Sequence, residues 1–319
     1  MSVDTPNPGN YDNRTAFAEE LIALAENDER IVAVCNDSVG SSNLTGFRER
    51  FPERLINVGI AEQNMVGVGA GLADRGLIPF VCAAGPFLTG RALEQVKADV
   101  AYSGHNVILC GMSPGMAYGE LGPTHHSVED FSWLRALPGL DIVVPADREQ
   151  TRRAVRDAVA DPRPTYIRVG RHKVPDVTQE STPWERGRMQ VLREGNDLTL
   201  IGTGTLVSRA LQAADMLAAD GVSVRVLNAS WIAPFDEDAV VRAATETGGI
   251  VVAEEANVAG GLGAAVASVV AQLPASRARV RLLGLRDFAP TGSTDFLLEH
   301  FGLTAQGYVD AAREVLGHA

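Results

Sequence analysis

Cysteine is scarce in this chain of 319 residues. There are three, Cys35, Cys82 and Cys110, and no C-x-x-C pair. An odd count without paired spacing excludes a disulfide framework and the common zinc arrays. All three lie in apolar, strand-like runs, so they read as buried free thiols of a reducing compartment. Lysine is scarcer still: only Lys97 and Lys173 occur, and every other basic residue is arginine. With 28 basic against 40 acidic side chains, the formal charge of −12 argues against the clustered cationic surface that nucleic acid requires. The longest apolar run, Leu77 to Leu88, is interrupted by Pro79, Gly85 and Pro86 and is too short to span a bilayer. The opening run MSVDTPNPGNYDNR has no apolar signal-peptide core. The expectation is a soluble, cytoplasmic protein. Also missing are a P-loop, a G-x-S-x-G elbow and an H-E-x-x-H pair, so no nucleotide, serine-hydrolase or zincin motif is available.

What is present is alternation. Apolar strands and amphipathic helices succeed each other, which indicates mostly parallel sheets covered on both faces. The pattern predicts helix over 15–26, strand over 31–35, helix over 61–75, strand over 77–83, helix over 91–101 and strand over 106–111. A long glycine-rich loop follows, then helix over 128–136, strand over 141–145, helix over 148–160 and strand over 165–169. From Arg171 to Arg188 the chain turns polar, loses periodicity and carries two prolines, which reads as a linker. A second set follows: strands over 198–202, 222–228, 250–254 and 280–285, with helices over 206–219, 236–247 and 262–272 and two short ones at the end. The fold class expected is α/β, with two doubly wound domains at 1–175 and 190–319 joined by a linker over 176–189.

Chemistry centres on GIAEQNMVGVGAGLADRG, Gly59 to Gly76, which places Glu62 at the mouth of a strand-to-helix turn. The helix after it is built from small residues: Gly67, Ala70, Gly71 and Ala73 recur at three- and four-residue spacing, so another helix can approach its backbone closely. The loop GMSPGMAYGELGPTHHSVED, Gly111 to Asp130, offers His125 and His126 just before a helix. Consecutive loop side chains point apart, so one histidine hydrogen-bonding a polar substrate is a better reading than a two-histidine metal site; capping of the helix is the alternative. GTGTLVSRALQAA, from Gly202, lacks the third glycine of a dinucleotide fingerprint. EEANVAGGLGAAVA, from Glu254, is explained by packing or an interface as well as by ligand binding.

Taken together, INVGIAEQNM, PFLTGRALEQVKADVAY, GELGPTHHSVED, LRALPGLDIVVPAD, PTYIRVGRHKVP, WIAPFDED and EEANVAGGLG resemble the C-terminal half of transketolase. More narrowly they resemble the second subunit of split, two-chain transketolases, in the family's order and over nearly the whole chain. The resemblance implies a pyrimidine-binding domain followed by the transketolase C-terminal domain, with thiamine diphosphate and Mg²⁺ as cofactors. Glu62 matches the glutamate at N1′ of the aminopyrimidine, where sharing a proton lets the ring's exocyclic nitrogen deprotonate C2 of the thiazolium. Phe87 matches the aromatic residue stacked on that ring. His125 aligns with a histidine that contacts donor hydroxyls, and Arg171 with an arginine that holds a substrate phosphate. Asp37 and Ser42 match a loop lining the cofactor and substrate channel.

The family's Gly-Asp-Gly signature for Mg²⁺ and diphosphate occurs nowhere in this chain. The resemblance therefore implies an N-terminal-half partner subunit carrying that motif, a shared active site and a heterotetramer. Three departures bear on substrate: Leu121 stands where the family has Asp, Ser113 where a phosphate-contacting histidine is usual, and Ala256 where a histidine is common. Leucine for a carboxylate removes a hydrogen bond and adds apolar wall, which points to ketol transfer from a ketose donor to a less hydroxylated acceptor. Three rivals stay open: the β subunit of a 2-oxo-acid dehydrogenase, deoxyxylulose phosphate synthase, and a partner protein without catalytic function.

Overall fold

The computed structural model describes residues 9–275 and 278–317. The N-terminal half supplies β1 (Asn10–Tyr11), β2 (Ile31–Cys35), β3 (Leu55–Asn57), β4 (Ile78–Ala84), β5 (Ile108–Met112), β6 (Asp141–Val143), β7 (Thr165–Val169) and β8 (Val174–Pro175). The C-terminal half supplies β9 (Gln190–Arg193), β10 (Leu198–Gly202), β11 (Val224–Asn228), β12 (Trp231–Ala233), β13 (Gly249–Asn257) and β14 (Arg279–Leu285). One sheet runs β12-β6-β7-β5-β4-β2-β3, parallel except at β12. A second runs β14-β13-β10-β11-β9, parallel except at β9. The two-stranded β1–β8 ribbon ties the start of the first half to its end. Every residue of β2, β4, β5 and β7 is buried, as a doubly covered parallel sheet requires, although β7 carries Thr165 and Arg168 among its apolar residues.

Several predicted elements shift. The first sheet is not built from the first half alone: β12 leaves the C-terminal half and pairs antiparallel with β6, and Val144 donates its N–H to the Ser230 carbonyl at 2.7 Å. Trp231 is buried there and packs on Trp184, ring centroids 5.7 Å apart. The helix expected over 91–101 is two π-helical turns, Phe87–Arg91 and Val96–Tyr102, around Leu93–Gln95. Gly90 is the close approach in the first of these turns, since a Cβ there would lie 2.8 Å from the Trp133 ring. The helix expected over 128–136 shortens to Asp130–Leu134.

The polar segment after β8 runs strapped to the helix Arg148–Ala160. Asp147 caps that helix through the Gln150 N–H at 2.9 Å and also accepts from the Val177 and Thr178 N–H groups at 2.8 and 2.6 Å. One buried carboxylate thus fixes both a helix start and the path of the connection. The two halves share a buried polar cluster in which Asn228 and Ser230 donate to Gln150 and Gln190 at 2.9–3.1 Å. Cys35, Cys82 and Cys110 are free, buried thiols side by side on β2, β4 and β5. Among the described residues no helix is long and apolar enough to cross a membrane.

Both glycine-rich turns of the C-terminal half have packing reasons. A Cβ on Gly202 would meet the Tyr308 hydroxyl at 3.0 Å, and Gly204, at φ +56°, sits against Val144. A Cβ on Gly261 would lie 1.8 Å from Glu254, whose carboxylate accepts the N–H groups of Leu262 and Gly263 at 2.7 and 2.8 Å. Burial pushes Glu254 up to about 7, against the pull of those N–H groups and of Arg168 and Arg135. A carboxyl whose folded value exceeds its unfolded one binds its proton more tightly in the native state. The stability it contributes is present at acidic pH and is lost as pH rises from about 4.5 to about 7. Denaturant unfolding of the wild type and Glu254→Gln over about pH 5 to 8 checks this. The wild type should lose stability relative to the variant through that window, and a pH-independent difference would contradict the assignment.

Candidate active site at the strand ends

The carboxyl ends of the parallel strands β2, β4, β5 and β7, with the turn after β3, carry the polar residues of interest, the edge where open α/β sheets bind ligands. Glu62 begins the helix Glu62–Asp74 after β3 and is 1% exposed. Asn36, just after β2, donates to its Oε1 at 2.6 Å, and Arg91, in the turn after β4, donates to its Oε2 at 2.7 Å. Burial pushes the Glu62 carboxyl up, but the hydrogen bonds from Arg91 and Asn36 and from backbone outweigh it and hold the carboxyl below its usual value. Glu62 is therefore an ionised acceptor at neutral pH. Its small-residue helix uses Gly69 for the close approach, because a Cβ there would lie 2.6 Å from Val81; Gly71 faces open space.

The Arg91 guanidinium also lies over the Phe87 ring at 4.4 Å, and the His125 ring meets Phe87 edge-on with centroids 5.2 Å apart. The structure thus brings Glu62, Arg91, Phe87 and His125 into one chain of contacts. The His125 Nδ1 meets the Thr124 hydroxyl at 3.0 Å, which leaves Nε2 without a protein partner among the described residues. His126 points the other way and is buried at 2% exposure, and burial lowers its pKa. Tyr118 extends the contacts: its ring lies 6.3 Å from His125, and the exposed Arg171 guanidinium sits 5.1 Å from its centroid. A cavity of about 460 Å³ opens here, with Leu121, Tyr118 and Arg171 among its walls.

Asp37, Ser42 and Ser113 are placed differently. Asp37 adopts φ +69° and pairs with Asn57, receiving its Nδ2 at 3.2 Å. Ser42 is buried and reaches Glu62 only through a relay, its hydroxyl 3.2 Å from Ser38 and Ser38 in turn donating to Asn36. Ser113 is wholly buried at φ +54°, with no hydrogen-bond partner for its hydroxyl among the described residues. A non-glycine residue in that region costs on the order of 1–3 kcal/mol and persists where the surroundings enforce it. The Ser113 N–H is tied to the Val169 carbonyl of β7 at 3.1 Å, and further along the loop Glu255 of β13 accepts the Met116 N–H at 2.7 Å and the Thr205 hydroxyl at 2.9 Å. Gly115, at φ +64°, admits that carboxylate, since a Cβ there would lie 2.4 Å from Oε1.

Sequence reasoning missed Asn36, Arg91 and Glu255. Arg91 had a signal, the odd TGRALEQV run after Phe87, whereas nothing local marks Asn36. Among the described residues no three His, Cys, Asp or Glu gather as a metal site.

Fold and site define an α/β protein with a cluster of polar and aromatic residues at its strand ends, built around a buried carboxylate. Residues 10–177 match the transketolase pyrimidine-binding domain and residues 187–307 the transketolase C-terminal domain. An apulose-4-phosphate transketolase subunit of Phocaeicola vulgatus is 43% identical over 94% of this chain and 96% of its own. A 6-deoxy-6-sulfo-D-fructose transketolase subunit of a Clostridium species is 42% identical over 95% and 94%. A solved split-gene transketolase, an inactive beta4 tetramer, superposes with a TM-score of 0.87 at 37% identity, over 97% of this chain and 99% of that one. The chain belongs to the transketolase family.

Proposed function

We propose that this chain is the pyrimidine-binding subunit of a split, thiamine-diphosphate-dependent transketolase, a cytoplasmic transferase that moves a two-carbon ketol unit from a sugar-type donor to an aldehyde acceptor. The observation that carries the reading is the buried Glu62 at the strand ends, linked through Arg91 to Phe87 and from there to His125. These residues fit an aminopyrimidine: a carboxylate acceptor for N1′, and an aromatic face. Thiamine diphosphate, when bound, supplies the electron sink that ketol transfer needs. Glu62 holds the proton shared at N1′, and Arg91 and Asn36 fix its carboxylate. Asp37 and Ser42 shape the channel behind it. His125 hydrogen-bonds donor hydroxyls, and Arg171 takes an anionic substrate end. Leu121, 56% exposed, is an apolar wall where a carboxylate would grip a sugar hydroxyl, and Ser113 shapes the loop below it.

The sequence has no Gly-Asp-Gly, so Mg²⁺ and the diphosphate fall to a partner subunit, in a heterotetramer. The partner's contact is supported by Ile60, two residues before Glu62 and 79% exposed, and by Tyr102 at 89%. With domains at 1–175 and 190–319, both of these exposed residues belong to the proposed first domain. Mixed with its partner, thiamine diphosphate and Mg²⁺, the chain should transfer a ketol unit from a ketose to an aldehyde. Carbon dioxide release from pyruvate or a branched 2-oxo acid in its place would return the 2-oxo-acid dehydrogenase reading.

A further inference from the structure

Arg171 sits between two hollows and makes no ion pair among the described residues. On one side is the cavity that Leu121 and Tyr118 line, closed from the C-terminal half by Ser293 and Thr294. On the other is a hollow of about 430 Å³ lined by His172, Lys173, Thr294 and Asp295 as well as Arg171. Thr294 belongs to both. The C-terminal segment is locked onto the loop that carries His125: Gly292 donates its N–H to the Gly119 carbonyl at 3.1 Å, and the Thr294 hydroxyl donates to the Met116 carbonyl at 3.4 Å. A Cβ on Gly119 would lie 2.3 Å from the Gly292 oxygen, so the two segments touch backbone to backbone.

Three consecutive basic residues, Arg171, His172 and Lys173, line the second hollow together with one acid. That acid is Asp295, 82% exposed and 3.6 Å from His172 Nε2. In the first cavity the acid is Glu120, on the His125 loop itself. We propose that Asp295, a residue of the C-terminal half, is a specificity determinant of the channel mouth that weakens its hold on anionic substrate ends. This rests on the reading of Arg171 and the neighbouring cations of the hollow as the anionic anchor. A carboxylate opposite the anchor repels a phosphate or sulfonate and leaves an uncharged substrate untouched.

The test uses the complex assembled with its partner, at low ionic strength, with glyceraldehyde 3-phosphate and glyceraldehyde as acceptors. The readout is the ratio of their kcat/KM values. Asp295→Asn should raise the ratio of phosphorylated to neutral acceptor about threefold and Asp295→Lys more, both fading with added salt. A ratio unmoved by either variant overturns the proposal. Arg171→Ala, measured in parallel, separates the two ideas. If it collapses the ratio while the Asp295 variants leave it alone, the anchor stands and this inference fails. If the Asp295 variants move the ratio and Arg171→Ala does not, the inference stands and the anion is held by another cation of the hollow.

Discussion

Glu62→Gln lowers turnover of the assembled complex by about 10²- to 10⁴-fold, the size of a lost general acid–base contribution. Glutamine keeps the shape and can still accept from Asn36, but it cannot share a proton at N1′. It also leaves the Arg91 guanidinium without its buried anion. The chain should keep its circular dichroism and its ability to assemble, and the loss should fall on kcat rather than on the KM of the acceptor. Activity retained within a few-fold would mean that Glu62 has been assigned the wrong role.

Arg168→Met destabilises the chain by about 3–5 kcal/mol, the cost of leaving a buried charge without its partner. Arg168 is 5% exposed and Asp130 0%, with Nε donating to Oδ2 at 2.7 Å. The same guanidinium donates to the Ser127 and Glu255 carbonyls, each at 3.0 Å, so it ties the loop before the Asp130–Leu134 helix to the second sheet. The double variant Arg168→Met with Asp130→Leu should recover much of the loss, because no lone charge then remains buried. Arg313→Ala, which breaks an exposed pair with Asp220, should cost no more than about 1 kcal/mol. Denaturant unfolding of the three variants checks the order, and a single Arg168 variant as stable as the double one would contradict it.

The parts of the fold legible in the sequence are those set by local rules. Strands β2, β7 and β10 and the helices Arg148–Ala160 and Leu206–Ala219 have the predicted bounds, because largely apolar runs and Asp147 before Arg148 mark them. The crossing of β12 is not legible, since a three-residue strand carries no periodicity and its pairing is settled by Trp231 finding a buried place against Trp184. In the π-helical turn Gly90 makes its close approach to Trp133, far along the chain, which leaves no local mark in the sequence. The site divides in the same way. Glu62 and His125 stand out beside glycine-rich turns, and the expectation that consecutive loop side chains point apart agrees with His125 meeting Phe87 while His126 is buried. Asn36 and Arg91 are 26 and 29 residues from Glu62 and meet it only because parallel strands bring their ends together.

The most direct test of a shared active site is calorimetric binding of thiamine diphosphate with Mg²⁺, to this chain alone and to its mixture with the N-terminal-half partner. Tight binding by the mixture and none by the chain alone is the predicted result. Tight binding by this chain alone would show that it encodes a diphosphate site itself, contradicting the division of the active site between two subunits.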